Sequence, residues 1–426
     1  MRVLCAREPK QREEAIKMSE ENIHSSATEE AYPKLNKKDL TLSLSAILLC
    51  GCVLSGAIPS AFVGIASAAL FVYVVIAIRN ISAVIQILLT SILATVLTFL
   101  PGVGAATLAL ILGAGTLAWL FMTLPKYKWA PILLLAVAYW LGFLVTSNLV
   151  TALLAFAFLP AAVLMAWAHA RDLGRTLTVL HALLGFLLVV LAALCIFLWN
   201  TYGSVNYDAL MRLIDELKNL FVAAGIEVGN KVLENFDLLI APSGVSADAV
   251  AQMRGGYIAL FAESNLRAIA DLLMGAAPAL IIAPTMILSY LADVVLLRKY
   301  YNTEWRSKMT PAACSLTISP AAGVVYFVCF LVFMFANKTS LFTMAVTNMC
   351  LILMPGLCLT GANVIWGNVR RATGWMKMAS ILFLVAAVCC MGVTIVYFLA
   401  LWGAYATVSA ALHQRIIQKM KDENKK

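Results

Sequence analysis

The chain has 426 residues, a length that in a soluble protein would mean two or three domains, yet 62% of them are hydrophobic and only 12% are charged. A soluble surface carries about 25% charged residues, so the apolar surplus must face lipid, and a soluble enzyme is excluded. The net charge of +9 sits in basic clusters between apolar runs, which is the pattern of cytoplasmic loops in a membrane protein rather than of a nucleic-acid-binding face.

Residues 1–40 are polar and mixed in charge, and their composition is that of a disordered cytosolic arm. The first apolar run begins after this arm and lacks a clear cleavage site, so no signal peptide is expected. Arg12-Glu13-Glu14 can be encoded by a purine-rich ribosome-binding sequence at a suitable distance before Met18, and Met18 is the expected natural start.

From Thr41 to Asn200 there are six charges: Arg79, Lys126, Lys128, Arg171, Asp172 and Arg175. The apolar runs between them have the length of a bilayer span, about 20 residues. Backbone groups in lipid must pair within the segment, which makes each run a helix. The runs lack the alternation of barrel strands. The spacing predicts spans over 41–58 (stopped by Pro59), 61–78, 81–99 and 103–123, two sharing 130–169 with a break at Ser147-Asn148, and one over 177–199.

Residues 200–271 differ, with nine acidic and five basic side chains. Leu210, Leu213, Ile214, Leu217, Leu220 and Phe221 follow helical spacing, with Arg212, Asp215, Glu216 and Lys218 among them. A loop with Pro242, Ser243 and Gly244 leads to a second amphipathic stretch over 247–271, where Glu263 and Arg267 stand at i,i+4. Spanning resumes over 272–297, 317–336, 341–366 and 376–402. The expected fold is therefore all-α, a polytopic transmembrane helical bundle of 10–12 spans with an amphipathic extramembrane segment in the middle. Its parts are the arm 1–40, a bundle over 41–199, the amphipathic segment 200–271, a second bundle over 272–404 and a basic tail 405–426.

With the arm in the cytoplasm, the basic loops from Lys34 to Lys377 fall inside and segment 200–271 falls outside. Eleven spans would leave the basic tail outside. A hairpin within 376–412, or a re-entrant span elsewhere, would return it to the cytoplasm.

In the second half, Ala277-Pro278-Ala279-Leu280 opens a span and Leu296-Leu297-Arg298-Lys299 closes it. Pro311, Pro320, Asn348, Pro355-Gly356 and Leu401-Trp402-Gly403 follow. Over roughly 250–426 this set resembles the YybS-like membrane proteins of Gram-positive bacteria. The tail departs from the pattern, with Ala404-Tyr405-Ala406 where an Asp would be typical. The family looks distantly similar to the substrate-capture subunits of energy-coupling-factor transporters. That resemblance implies a small-molecule-binding bundle that docks on separate ATPase and coupling membrane subunits, in the plasma membrane of a bacterium.

Three polar residues inside apolar runs are candidate ligand contacts: Asn148, His181 and Asn348. For each, interhelical hydrogen bonding is the plainer reading. Asp293 is expected to snorkel to the interface or to pair locally near Arg298. Ala105, Ala109 and Gly113 repeat every four residues, so another helix can approach closely there. That helix belongs either to a coupling partner or to the chain itself. Gly51 and Ser55 are a weaker instance.

Most cysteines lie in apolar runs, and Cys50-Gly-Cys52 has neither zinc nor redox spacing. Gly102-Val103-Gly104 is not followed by the Lys-Ser or Lys-Thr of a phosphate loop. No catalytic residue, cofactor or metal is expected, and no nucleic-acid partner. The partners are the lipid bilayer together with ATPase and coupling subunits or envelope proteins. The leading function is thus a transport-related, small-molecule-binding subunit without its own ATPase. The alternative is a membrane scaffold or envelope partner, and an enzyme acting on lipid-linked substrates ranks last.

Overall fold

A computed structural model of the chain describes residues 37–78, 83–124, 128–236, 246–301, 318–335, 341–391 and 394–423. Among the described residues the structure is helical, with short turns and no strand. Most of the N-terminal arm, with Met18, and the loop residues Pro242 to Gly244 lie outside the described residues, as does Pro311. Among the described residues, seven helical stretches are long and apolar enough to cross a membrane. They are Pro101–Thr123, Trp129–Thr146, Leu149–Ala170, Arg175–Tyr202, Ala277–Leu297, Phe342–Val369 and Thr394–Gln418. Phe62–Val75 and Pro320–Phe335 are apolar but shorter. The protein is an all-α polytopic membrane protein, and its lipid-facing surface contacts the bilayer.

The chain divides into two compact units. The first takes in residues up to Ile78, Val96–Leu173 and Ala292–Cys314. It holds α1 (Lys37–Leu54), α2 (Ser60–Ile78), the end of α3 (Ala83–Phe99), α4 (Pro101–Thr123), α5 (Trp129–Thr146), the short α6 (Leu149–Leu153) and α7 (Leu159–Ala170). Helix α1 ends at Leu54, earlier than the sequence reading placed it. Gly56 then takes the left-handed conformation (φ 71°) that turns the chain toward α2.

Helix α4 is the core element of this unit. Its residues from Leu108 to Leu120 are nearly all buried, and α1, α2 and the α7 region pack around it. Pro101 at its first turn supplies a pre-set φ where no intrahelical N–H is needed. The small residues of α1 and α5 interlock. A Cβ at Gly51 would stand 2.8 Å from that of Ala138, and one at Gly142 would strike Ser55. The Ser55 hydroxyl donates to the Ala138 carbonyl at 3.1 Å. The break expected at Ser147-Asn148 is present: Ser147 is left-handed (φ 53°), and the Asn148 carboxamide caps α6.

The second unit takes in Arg79–Thr95, Gly174–Leu291 and Ser315–Lys426. Helix α8 (Arg175–Tyr202) stops at left-handed Gly203. After a short turn, Asn206 caps α9 (Tyr207–Glu234) by accepting from the Ala209 N–H. The second amphipathic stretch is two helices rather than one: α10 (Ala247–Leu260), capped by Ser246, and α11 (Glu263–Gly275), with the break at Phe261-Ala262. Helix α12 (Ala277–Tyr301) lends its residues up to Leu291 to this unit and those from Ala292 on to the first.

Helices α13 (Pro320–Phe335), α14 (Leu341–Arg371), α15 (Trp375–Met391) and α16 (Thr394–Glu423) complete it. The single span read over 376–402 is divided between α15 and α16, and the segment read as a basic tail from residue 405 continues α16 as helix to Glu423.

Candidate functional site

The first unit holds a buried acid–base pair. The Nε2 of His169 stands 3.5 Å from a carboxylate oxygen of Asp293, and the two side chains are 7% and 0% exposed. Helix α7 carries His169 in its last turn. The turn that follows is fixed by Arg171, whose guanidinium lies 4.2 Å from the centre of the Trp167 ring, and by left-handed Asp172 (φ 50°).

Asp293 sits at the point where α12 crosses α4. Gly115 lies so close to α12 that a Cβ there would collide with the Ala292 carbonyl and with Val295. A carboxylate at such a crossing is cut off from water. It is tolerable there only if it is neutralised or met by a counter-charge. His169 is the ionisable group beside it, and the full burial of Asp293 corrects the reading of it as a group that snorkels to the interface.

Two further polar features lie in the same unit. The Lys299 ammonium, one and a half turns beyond Asp293, donates to the Ser43 hydroxyl at 2.6 Å. It lies 4.9 Å from the Trp119 ring centre and 5.9 Å from that of Tyr73. Lys299 is therefore partly enclosed and held by cation–π contacts, whereas the sequence reading made it a simple loop cation.

Thr116 on α4 is fully buried, and its hydroxyl has no hydrogen-bond partner among the described residues. On a helix of 3.6 residues per turn it lies roughly 100° from Gly115, which abuts Ala292, and roughly 60° from Gly113, which abuts Phe158. It thus faces between the segment that carries Asp293 and the one that leads into α7 and His169.

The residues singled out from sequence fall elsewhere. Asn148 is a helix cap, accepting from the N–H groups of Val150 and Thr151 at 2.9 and 3.2 Å. Nδ1 of His181 lies 2.7 Å from the Leu177 carbonyl one turn back on α8. A carbonyl only accepts, so Nδ1 carries the proton. Asn348 spans the α11–α12 junction: its Nδ2 donates to the Gly275 and Met344 carbonyls at 2.7 and 3.0 Å, and its Oδ1 accepts from the Ala279 N–H at 3.1 Å. Those three bonds use most of the carboxamide's capacity for packing rather than for a ligand.

Ala105 and Ala109 are buried inside the chain, and a Cβ at Gly113 would meet the Phe158 ring at 2.7 Å. The close-approach face is therefore filled by the protein's own residues, the second of the two readings the spacing left open.

The sequence carried a signal for the pair that was not used. Asp293 interrupts the apolar run Leu291-Ala292-Asp293-Val294-Val295, and His169 closes another at Ala166-Trp167-Ala168-His169. Among the described residues no three His, Cys, Asp or Glu side chains converge as metal ligands would. Compared with family models, curated proteins and solved structures, the chain matches none.

Proposed function

We propose that the protein is a membrane transport protein that binds a small molecule and has no ATPase of its own, with His169 and Asp293 as its proton-binding element. The buried pair carries this reading. A carboxylate and an imidazole 3.5 Å apart in a membrane helical unit can exist with none, one or two bound protons, and each state carries a different charge in a low-dielectric setting. Ionisable groups in such positions mark proton relays and substrate pathways. Protonation would alter the attraction between α7 and α12 and so bias their packing. The Thr116 hydroxyl, without a hydrogen-bond partner among the described residues, adds a third polar group on the adjoining face of α4. This favours a proton gradient as the energy source over the separate ATPase that the family resemblance implies.

The test uses full-length protein in liposomes with an imposed inward proton gradient and a pool of small metabolites outside. Mass spectrometry of the lumen reads accumulation. Gradient-driven accumulation of a solute that is lost in Asp293→Asn is the expected result. Accumulation no greater than in empty liposomes, or unaffected by Asp293→Asn, would sink the reading.

A further inference from the structure

Helices α9 and α11 form an antiparallel pair. Lys218 meets Asp271 at 2.8 Å, Gly225 abuts Leu266, and Gly229 abuts Phe261. Partner numbers fall as those of α9 rise. Val222, Leu266 and Ala270 are the buried seam, with Phe221, Ile226 and Phe261 against it.

The seam does not use all the apolar surface. Leu217, Leu220 and Val228 stay 43%, 65% and 52% exposed on α9, and Ile269 and Leu272 stay 38% and 47% exposed on α11. Counted at roughly 100° per residue, the α9 set lies about a third of a turn behind its seam, and the α11 set lies behind its own seam in the same sense. In an antiparallel pair, equal senses put both sets on one side of the two-helix layer. Arg212 and Glu216 of α9 lie ahead of the seam, as do Arg267 and Asp271 of α11, which puts them on the other side, while Glu227 and Lys231 flank the stripe of Leu220 and pair with each other at 2.6 Å along the edge. The layer therefore has one apolar and one charged side.

We infer that this layer lies flat on the bilayer, with its apolar side sunk at the boundary between headgroups and acyl chains. Three observations select lipid as the occupant. The layer is tied to spanning helices at both ends, by Gly203 to Asn206 after α8 and by Ala276 before α12. Both ends of the layer are thus held where its neighbours leave the membrane. The Tyr202 hydroxyl at the end of α8 donates to the Glu216 carboxylate at 2.8 Å. That bond holds α9, a helix of about 42 Å, back toward the end of the span instead of letting it project away. The two helices also carry seven carboxylates against four cations, so adhesion rests on buried apolar area and not on attraction to anionic headgroups.

The test reconstitutes full-length protein in nanodiscs of phosphatidylcholine carrying a photoactivatable group on the acyl chain. Peptide mass spectrometry then maps the lipid adducts. Adducts are expected at Leu217, Leu220, Val228, Ile269 and Leu272, with none at Arg212 or Arg267, and the same map is expected when a quarter of the lipid is phosphatidylglycerol. In Leu220→Asp/Val228→Asp the α9 adducts disappear while those of α8 and α12 persist. If that variant does not fold, the wild-type map decides. Absence of adducts between Tyr207 and Gly275, equal labelling of both sides, or a map that appears only with phosphatidylglycerol overturns the proposal. Photocrosslinking from the apolar side to a protein rather than to lipid in native membranes also overturns it.

Discussion

Gly361 and Gly403 face each other where α14 crosses α16. A Cβ on Gly361 would run into the Leu399 carbonyl, and one on Gly403 into the Leu357 carbonyl. The two backbones touch because neither residue has a side chain, which is how membrane helices gain dispersion contact when lipid offers no hydrophobic drive. Gly403→Ala should therefore destabilise the protein by at least the roughly 1–3 kcal/mol of overpacking. Gly367→Ala on the same α14 meets open space and should change little. Denaturant unfolding in micelles compares the two, and equal effects would refute the crossing.

The pair His169–Asp293 should behave as a unit. Removing the imidazole with His169→Ala takes a neighbouring ionisable group away from a buried carboxylate, a loss of up to about 3–5 kcal/mol. Asp293→Asn removes the charge and keeps a polar group of the same shape, so its loss is smaller. The double variant should be more stable than the two losses summed, with a coupling of at least about 1 kcal/mol. A double-mutant cycle measured by unfolding checks this, and strict additivity would mean that the two side chains do not interact.

Asn348→Leu removes two hydrogen bonds at the α11–α12 junction and one within α14, and leaves the Gly275 carbonyl and the Ala279 N–H without the Asn348 partner. The loss should be roughly 1–3 kcal/mol, accompanied by faster proteolysis near Ala276. Asn348→Asp can still accept from Ala279 but cannot donate to Gly275, so it should fall short of wild type as well. Wild-type stability in both variants would return Asn348 to the set of ligand candidates.

On the exposed face of α9, the hydrogen bond and charge of Lys231, 2.6 Å away, hold the Glu227 carboxyl below the usual carboxylate range, and the same contact raises Lys231. The lowered carboxyl contributes above its ordinary range and loses that contribution as pH falls through its depressed value. The raised ammonium contributes below its ordinary range and loses that as pH rises through its elevated value. The pair is thus intact across neutral pH. Both groups are open to solvent, so the pair adds little to stability. In Lys231→Ala the Glu227 carboxyl should titrate higher by carbon-detected NMR while the unfolding midpoint barely moves. An unmoved Glu227 titration would show that the contact does not form.

The parts legible in the sequence were those set by neighbours within a few residues. The break at Ser147-Asn148 was visible because Asn is a natural helix cap, and the ion pair Glu263–Arg267, at 2.9 Å, because it joins successive turns of one helix. The spacing of Ala105, Ala109 and Gly113 announced a close approach but could not say whose residue fills it. It is Phe158. The partnership of His169 with Asp293 was not visible, because it is made by the crossing of helices far apart in the chain. The nearer charge at Arg298 offered Asp293 a local explanation. Local rules left the last apolar run open as one span or a hairpin, and the structure divides it between α15 and α16.

Thr116 separates structure from function most cleanly. Other threonines in these helices bond their hydroxyl to a carbonyl one turn back, as Thr123 does to Trp119 at 2.8 Å and Thr285 to Ile281 at 2.6 Å. The Thr116 hydroxyl, though fully buried, makes no such bond. Thr116→Val keeps the shape and removes an unsatisfied polar group, so it should raise stability by about 1 kcal/mol. A hydroxyl retained against that gradient fits a group that meets a transported molecule, water or proton carrier. Gradient-driven accumulation should therefore fall in Thr116→Val even as the unfolding midpoint rises. Greater stability with undiminished accumulation would leave Thr116 as a packing defect outside the transport path. A loss of stability would mean that the hydroxyl has a partner after all.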